Sequence, residues 1–385
     1  MNPYVDAQVL RAYYSEVSSL KKIDDYSVSF VFSKPYYAAF EVAYSIPIIP
    51  AHRYKTISVF GDPMSFGREF NRHPDNKFPI GTGPYKFSKW DFSKMIVIER
   101  NNDYWASKAG LSYWHKDQPF LDRILFIIIS NNASALKALM KGEVDVDPEI
   151  EPSTWIDPET NSDSFKSKFI RASEIGLVYT YIGWNAKSPF FEDKRVRQAM
   201  TMLIPIEKIL LQIHFGLGSI TTGPFFPNSP EYNKSLRPYP YSPERAAQLL
   251  TEAGWIDIDG DGIREKNGIK FEFEYLIHSA KDYHQRIADI IKEHVEQAGI
   301  KMLIRKLDWG IFTRRVSKQM FDAVRLAWGI SIDPDPFQVW HSSQSGGRGS
   351  NYINFNNPEA DKILETARQT FDSRERWKMY RRFHE

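Results

Sequence analysis

An α/β fold divided over two or more domains is what the sequence predicts, and three observations carry it. Strand-like and helix-like patterns alternate through the C-terminal half, as in a sheet that is at least partly parallel. The chain has 385 residues, more than one hydrophobic core ordinarily organises. Hydrophobic residues make up 42% and charged residues 25%, the balance of soluble globular domains rather than of disordered chains.

The elements follow in order. Val28, Phe30 and Phe32 alternate with the two-residue period of a half-buried strand. Residues 47–84 are rich in Pro and Gly and read as irregular loops. Tyr85 to Trp90 and Met95 to Glu99 alternate again, and Leu121 to Ile129 reads as a buried strand. Ala133 to Lys141 is a short helix, with Asn131 or Asn132 as N-cap and Gly142 just past its end. Phe190 to Met202 has helical spacing and is followed by Pro205. Ser242-Pro243 opens a helix that runs to Ala253 and stops at Gly254. Then come a strand (Phe271 to Ile277), a long amphipathic helix (Asp282 to Ala298, ending at Gly299), a strand (Ile300 to Leu307), a short helix (Phe312 to Lys318) and a strand (Phe321 to Trp328). Arg374 to Arg382 interleaves basic residues with Trp377 and Tyr380, an amphipathic helix with a solvated basic face.

Several function classes are disfavoured at once. Lys plus Arg is 50 and Asp plus Glu is 48, so no global field draws the chain to nucleic acid or an anionic membrane. The sequence has no cysteine, which removes disulfides, thiolate metal sites and Cys nucleophiles. No apolar run is long enough to span a bilayer. Met1-Asn2-Pro3-Tyr4 does not resemble a secretory signal peptide. Gly216-Leu217-Gly218 lacks the third glycine of a dinucleotide fingerprint. The histidines, among them His73, His115, His214, His278, His284, His294 and His341, show no metal-ligand spacing. Asp257, Asp259, Asp261 and Gly262 stand where a calcium loop places its first, third, fifth and sixth residues. The twelfth position holds Gly268 instead of Glu, and an ordinary Asp/Gly turn is the competing reading. No other cofactor is expected.

From Gly81 onward the sequence becomes specific. Gly81-Thr82-Gly83-Pro84-Tyr85-Lys86, Trp90 and Glu99-Arg100-Asn101-Asn102-Asp103-Tyr104-Trp105 resemble the signature stretch of family 5 extracellular solute-binding proteins, which serve ABC importers of oligopeptides, dipeptides and nickel. Later landmarks keep the family's order: Leu139 to Asp145, Asn185, Arg195 to Ala199, Tyr241-Ser242-Pro243 to Trp255, Trp328, Asp333-Pro334-Asp335-Pro336, Asn351 to Asn357 and Arg374 to Tyr380. The resemblance implies a periplasmic-binding-protein-like fold of type II: two lobes joined by a hinge, with an additional insert domain. Residues 1–80 would be the end of that insert, 81–183 part of the first lobe and 184–385 the second. Relatives are longer, so the chain reads as truncated at both ends, with apolar surface expected to be exposed on the first lobe. The implied setting is the periplasm or a cell-envelope lipoprotein. The implied partners are a peptide or peptide-like solute and an importer permease, with no nucleic acid and a monomeric chain.

The resemblance also implies a site. Trp328, Gly329, Ile330 and Ser331 end a strand whose edge, in relatives, pairs with the backbone of an extended peptide. Tyr179, Tyr181 and Asn185 lie where relatives cross between lobes, although the 179/181 alternation equally suits a packed strand face. In peptide-binding relatives an aspartate three residues after the tryptophan holds the peptide's α-amino group, and here that place is Ser331. Either Asp333 takes the role, or the ligand has no free α-amine there. Arg325, three residues before Trp328, is expected on the opposite sheet face. Other readings are a non-peptide solute (nickel chelate, opine, oligosaccharide), a peptide or glycan hydrolase, and a sensor or chaperone module. Catalysis is not expected.

Overall fold

The computed structural model describes residues 2–385 except 8–10, 12, 55–56, 58–61, 109–119, 130, 332 and 348, so His115 lies outside the described residues. Val28, Phe30 and Phe32 form a strand as their alternation predicts, β2 (Val28–Phe32). It pairs antiparallel with β1 (Val17–Lys22), whose sequence carries no clean alternation. A short helix, α1 (Ala39–Tyr44), follows. The chain forms two compact units, residues 1–7 with 44–151 and residues 8–43 with 152–385, and so passes between them at 7/8, 43/44 and 151/152.

The first unit corrects two expectations. The Pro/Gly-rich stretch holds a three-turn helix, α2 (Pro63–Arg72). Asp62 accepts hydrogen bonds from Met64 N (3.1 Å) and Ser65 N (3.2 Å), and Pro63 occupies the first turn, where its missing N–H matters least. That start signal outweighs the local Gly and Pro content. The segments around Tyr85 and Met95 become β3 (Tyr85–Asp91) and β4 (Met95–Arg100), antiparallel. Among the described residues, the strand expected to be buried, β5 (Arg123–Ile127), is an edge strand bonded only to β4. Leu125, Phe126 and Ile127 are 47%, 53% and 43% exposed, so both of its faces show apolar side chains. Helix α3 (Asn132–Lys141) has the predicted ends: Asn131 caps Ser134 N at 2.9 Å and Gly142 takes the left-handed conformation (φ 73°).

The second unit is organised by a four-stranded sheet of order β10-β9-β11-β6. Strand β6 (Val178–Trp184) carries the chain through residue 183. Helix α4 (Lys194–Met202) starts four residues later than its spacing suggests, because Asp193 caps Arg195 N (2.8 Å) and Phe190 and Phe191 turn into an aromatic cluster with Phe271. Then come α5 (Ile206–Gln212) and α6 (Pro243–Glu252), the latter capped by Ser242. A small hairpin, β7 (Glu265–Lys266) and β8 (Ile269–Lys270), precedes β9 (Glu272–His278). Helix α7 (Asp282–Glu296), β10 (Lys301–Leu307), α8 (Trp309–Ser317) and β11 (Ala323–Gly329) complete the predicted rhythm. Strands β10, β9 and β11 are parallel and β6 is antiparallel. Helices α4, α6 and α7 bury one sheet face around Trp184, Phe273, Tyr275 and Ile291, while Phe312 and Val316 of α8 join Leu276 and Val324 in a second core. Helix α9 (Pro358–Arg368) and α10 (Ser373–His384) end the chain, with Tyr380 fully buried against Phe225 and Leu364.

Candidate ligand-binding edge

Parallel sheets bind ligands outside the carboxyl ends of their strands. Here those ends are His278 of β9, Leu307 of β10 and Gly329 of β11. Strand β11 is paired unequally on its two sides. Against β6 the ladder is continuous from Ala323↔Trp184 to Gly329↔Val178. Against β9 it has only two positions, Ala323↔Tyr275 and Val324↔Leu276. Beyond Val324 the two strands separate, and no other strand among the described residues joins this edge.

The backbone direction along that edge follows from the ladder. Asn185 N donates to Asp322 O (2.9 Å) and Ile330 N donates to Leu177 O (2.7 Å). In an antiparallel pair, hydrogen-bonded positions recur at every second residue. Even-numbered residues of β11 therefore serve β6, and Arg325, Ala327 and Gly329 turn their N–H and C=O groups toward the open side. Ala327 and Gly329 are exposed. The arrangement presents donors and acceptors at the spacing of an added strand.

The predicted aromatic residues support this edge from one face. Trp328 lies opposite Tyr179. Its Nε1 donates to Tyr181 Oη (3.0 Å), and its ring stacks on Tyr352 at 5.9 Å and 16°. Burial raises the hydroxyl pKa of both Tyr179 and Tyr181, so both stay protonated. Arg325 projects to the other face, as its register predicts, and donates to His284 Nδ1 (2.7 Å). Burial, followed by the Arg325 charge, pushes the His284 pKa down to about 3. His278 packs on the exposed Trp309 ring at 4.9 Å.

The remaining predicted residues separate into distinct roles. Ile330 and Ser331 follow the edge, and Ser331 is exposed. Asp333 is 46% exposed and pairs with the buried Arg376 at 3.0 Å. Asp335 is 6% exposed and is closed in by Arg368 Nε (2.9 Å) and the Tyr36 hydroxyl (2.7 Å), which donates to it. Asn185 is buried: its Nδ2 donates to Phe321 O (2.8 Å), and its Oδ1 accepts from Lys187 N (3.1 Å) and Asn354 Nδ2 (2.8 Å). It ties β6 to the segment before β11 and offers no free polar atom to a solute. In the acidic loop, Asp261 pairs with Lys270, and the third carboxylate grouped with Asp257 and Asp259 is Glu265. A cleft of about 940 Å³, lined by Trp184, Arg197, Trp340 and His384 among others, includes none of the predicted site residues. Trp184 pairs with Ala323, so this cleft reaches the amino end of β11. Sequence reasoning missed Arg376 and Arg368, whose acids lie tens of residues away, and Trp309, whose exposure no local pattern signals.

Residues 2–351 match the profile of bacterial extracellular solute-binding proteins, family 5 middle region. The chain belongs to this family. Among curated relatives, the oligopeptide-binding protein AppA of Bacillus subtilis (strain 168) is 30% identical over 380 residues, 97% of this chain and 65% of that protein. The dipeptide-binding protein of Escherichia coli (strain K12) is 25% identical over 371 residues, 95% of this chain and 63% of the relative. The chain thus spans just under two thirds of the length of these family members. The solved structure of AppA, in complex with a nonapeptide, aligns with a TM-score of 0.81 at 30% identity, covering 97% of this chain and 70% of that one. NikZ from Campylobacter jejuni, in complex with Ni(L-His), shares the fold at 24% identity and a TM-score of 0.78, covering 97% and 70%. The α/β solute-binding fold expected from the sequence is thereby established. No helix among the described residues is long and apolar enough to cross a membrane.

Proposed function

We propose that this family 5 chain captures a peptide or peptide-like solute by strand addition along the open edge of β11, as the binding component of an ABC importer in the cell envelope. The observation that carries the reading is the edge itself, with Ala327 and Gly329 exposed and no β9 partner beyond Val324. Main-chain pairing is indifferent to side-chain identity and suits solutes of varied sequence. That AppA was solved with a nonapeptide and is 30% identical to this chain supports the same solute class here. Trp328, Tyr179 and Tyr181 stiffen the edge, and Ser331 and Asp333 are the polar groups just beyond it. Of the two acids in the loop, Asp333 has the exposed face that an α-ammonium requires, while Asp335 is enclosed. The solute-binding protein is proposed to act as a monomer that presents its cargo to a permease.

Native mass spectrometry of the purified chain, followed by acid release and sequencing, tests this reading. Captured peptides are the expected result. A released opine, metal chelate or oligosaccharide would replace the solute class while retaining the binding role. Turnover of peptide or glycan substrates by the chain would overturn the role itself.

A further inference from the structure

We propose that the loop between α6 and β7 is a calcium site whose protein carboxylates are Asp257, Asp259 and Glu265. One carboxylate oxygen from each lies within 4.8 Å of the others. That is the span of two ligands bound at about 2.4 Å on opposite sides of one calcium ion. Three clustered acids on a loop would mean little alone. The second observation is Glu265, which is 8% exposed. Its Oε1 accepts from Ile258 N (2.9 Å) and Asp259 N (3.2 Å), whereas its Oε2 is buried with no hydrogen-bond partner. A buried carboxylate oxygen without a donor is unfavourable, and a cation supplies the missing interaction.

The backbone holds Glu265 in place. Ile256 and Glu265 exchange hydrogen bonds in both directions (3.1 and 2.9 Å). Gly260 N and Gly262 N donate to the two Asp257 oxygens (2.8 and 3.0 Å), and both glycines take positive φ, 76° and 86°. Glu265 is also the ninth residue counted from Asp257, a ligand position in calcium loops of this spacing. An all-oxygen set on a loop suits calcium, whose coordination is flexible, better than magnesium, which demands a near-ideal octahedron. One protein cation competes: Lys270 bridges Asp259 (3.2 Å) and Asp261. Calcium would displace it from Asp259 and leave it on Asp261.

The test uses the full chain, stripped with a chelator and then titrated with calcium chloride by calorimetry and thermal melting. Extracellular calcium modules bind with dissociation constants of roughly 0.1–1 mM. Wild type is expected to gain at least about 2 °C in Tm at about 5 mM calcium, and less in equal magnesium. The Glu265→Gln variant keeps the side-chain shape and should lose the calcium shift. Lys270→Met, at a surface position, should enlarge it. No calcium response in wild type, an undiminished shift in folded Glu265→Gln, or an equal response to magnesium would overturn the proposal. Should Glu265→Gln fail to fold, Lys270→Met decides the matter: an enlarged shift supports the site, and an unchanged or smaller one overturns it.

Discussion

Asp333 and Asp335 stand two residues apart, yet the fold treats them differently. Asp335 receives a buried guanidinium and a tyrosine hydroxyl, while Asp333 meets one guanidinium and keeps an open face. If Asp333 receives the α-amine of a bound peptide, Asp333→Asn should weaken binding of a free peptide by about tenfold, the scale of one charge-assisted hydrogen bond. Binding of the N-acetylated peptide should not change, and calorimetry with the pair reads the difference. Asn185 is a positioning residue inside the core, so Asn185→Ala should lower stability by about 1–3 kcal/mol in urea unfolding. Its effect on peptide affinity should be indirect. His284 sets a pH dependence. Its pKa falls from 6.5 to about 3 on folding, so between those values the unfolded chain binds more protons. Stability therefore declines as pH falls through that window and is insensitive to this group above it. Melting curves from about pH 7.5 to about pH 4.5 should show the decline, and His284→Gln should make it shallower. The acids were legible in the sequence as candidates. Their partners were not, because Arg376 and Arg368 reach them through tertiary structure from 43 and 33 residues away.

At the scale of elements, local signals served well where they were complete. Asn131 with Gly142 and Ser242 with Pro243 marked helix ends that the structure reproduces within a residue or two. Helix α2 was legible in principle from Asp62-Pro63, but the surrounding Pro and Gly content masked it. Burial was harder to read. The apolar run at β5 carries the composition of an interior strand, and composition does not say how many neighbours a strand will have. The open edge of β11 was implied by the family resemblance and not by any local pattern, since the β9 ladder stops at Val324↔Leu276. That edge makes its own prediction. A proline is tolerated where an edge N–H faces away from the ladder. Ala327→Pro should therefore leave Tm within a few degrees. It should reduce peptide affinity by about tenfold or more, by deleting one donor and placing a ring in the added strand's path. An unchanged dissociation constant in calorimetry would move the site off this edge.

For the whole molecule, family and fold were legible because many weak landmarks keep one order over hundreds of residues. The packing inside the second unit was not, because it depends on long-range contacts. The Tyr36 hydroxyl reaches Asp335 across 299 residues, and Tyr37 N donates to Arg368 O at 2.9 Å. The side chain of Tyr36 is 2% exposed in the folded chain. The nearer of those partners, Asp335, is made only 299 residues later, and Arg368 later still. At about 5–20 residues per second, that is a wait of roughly 15–60 s before Asp335 is available. Until then the segment that follows the early hairpin cannot settle, and this part of its unit closes late. For a protein destined for the cell envelope, as proposed here, such lateness is useful: a chain that cannot finish folding early remains threadable while it is exported.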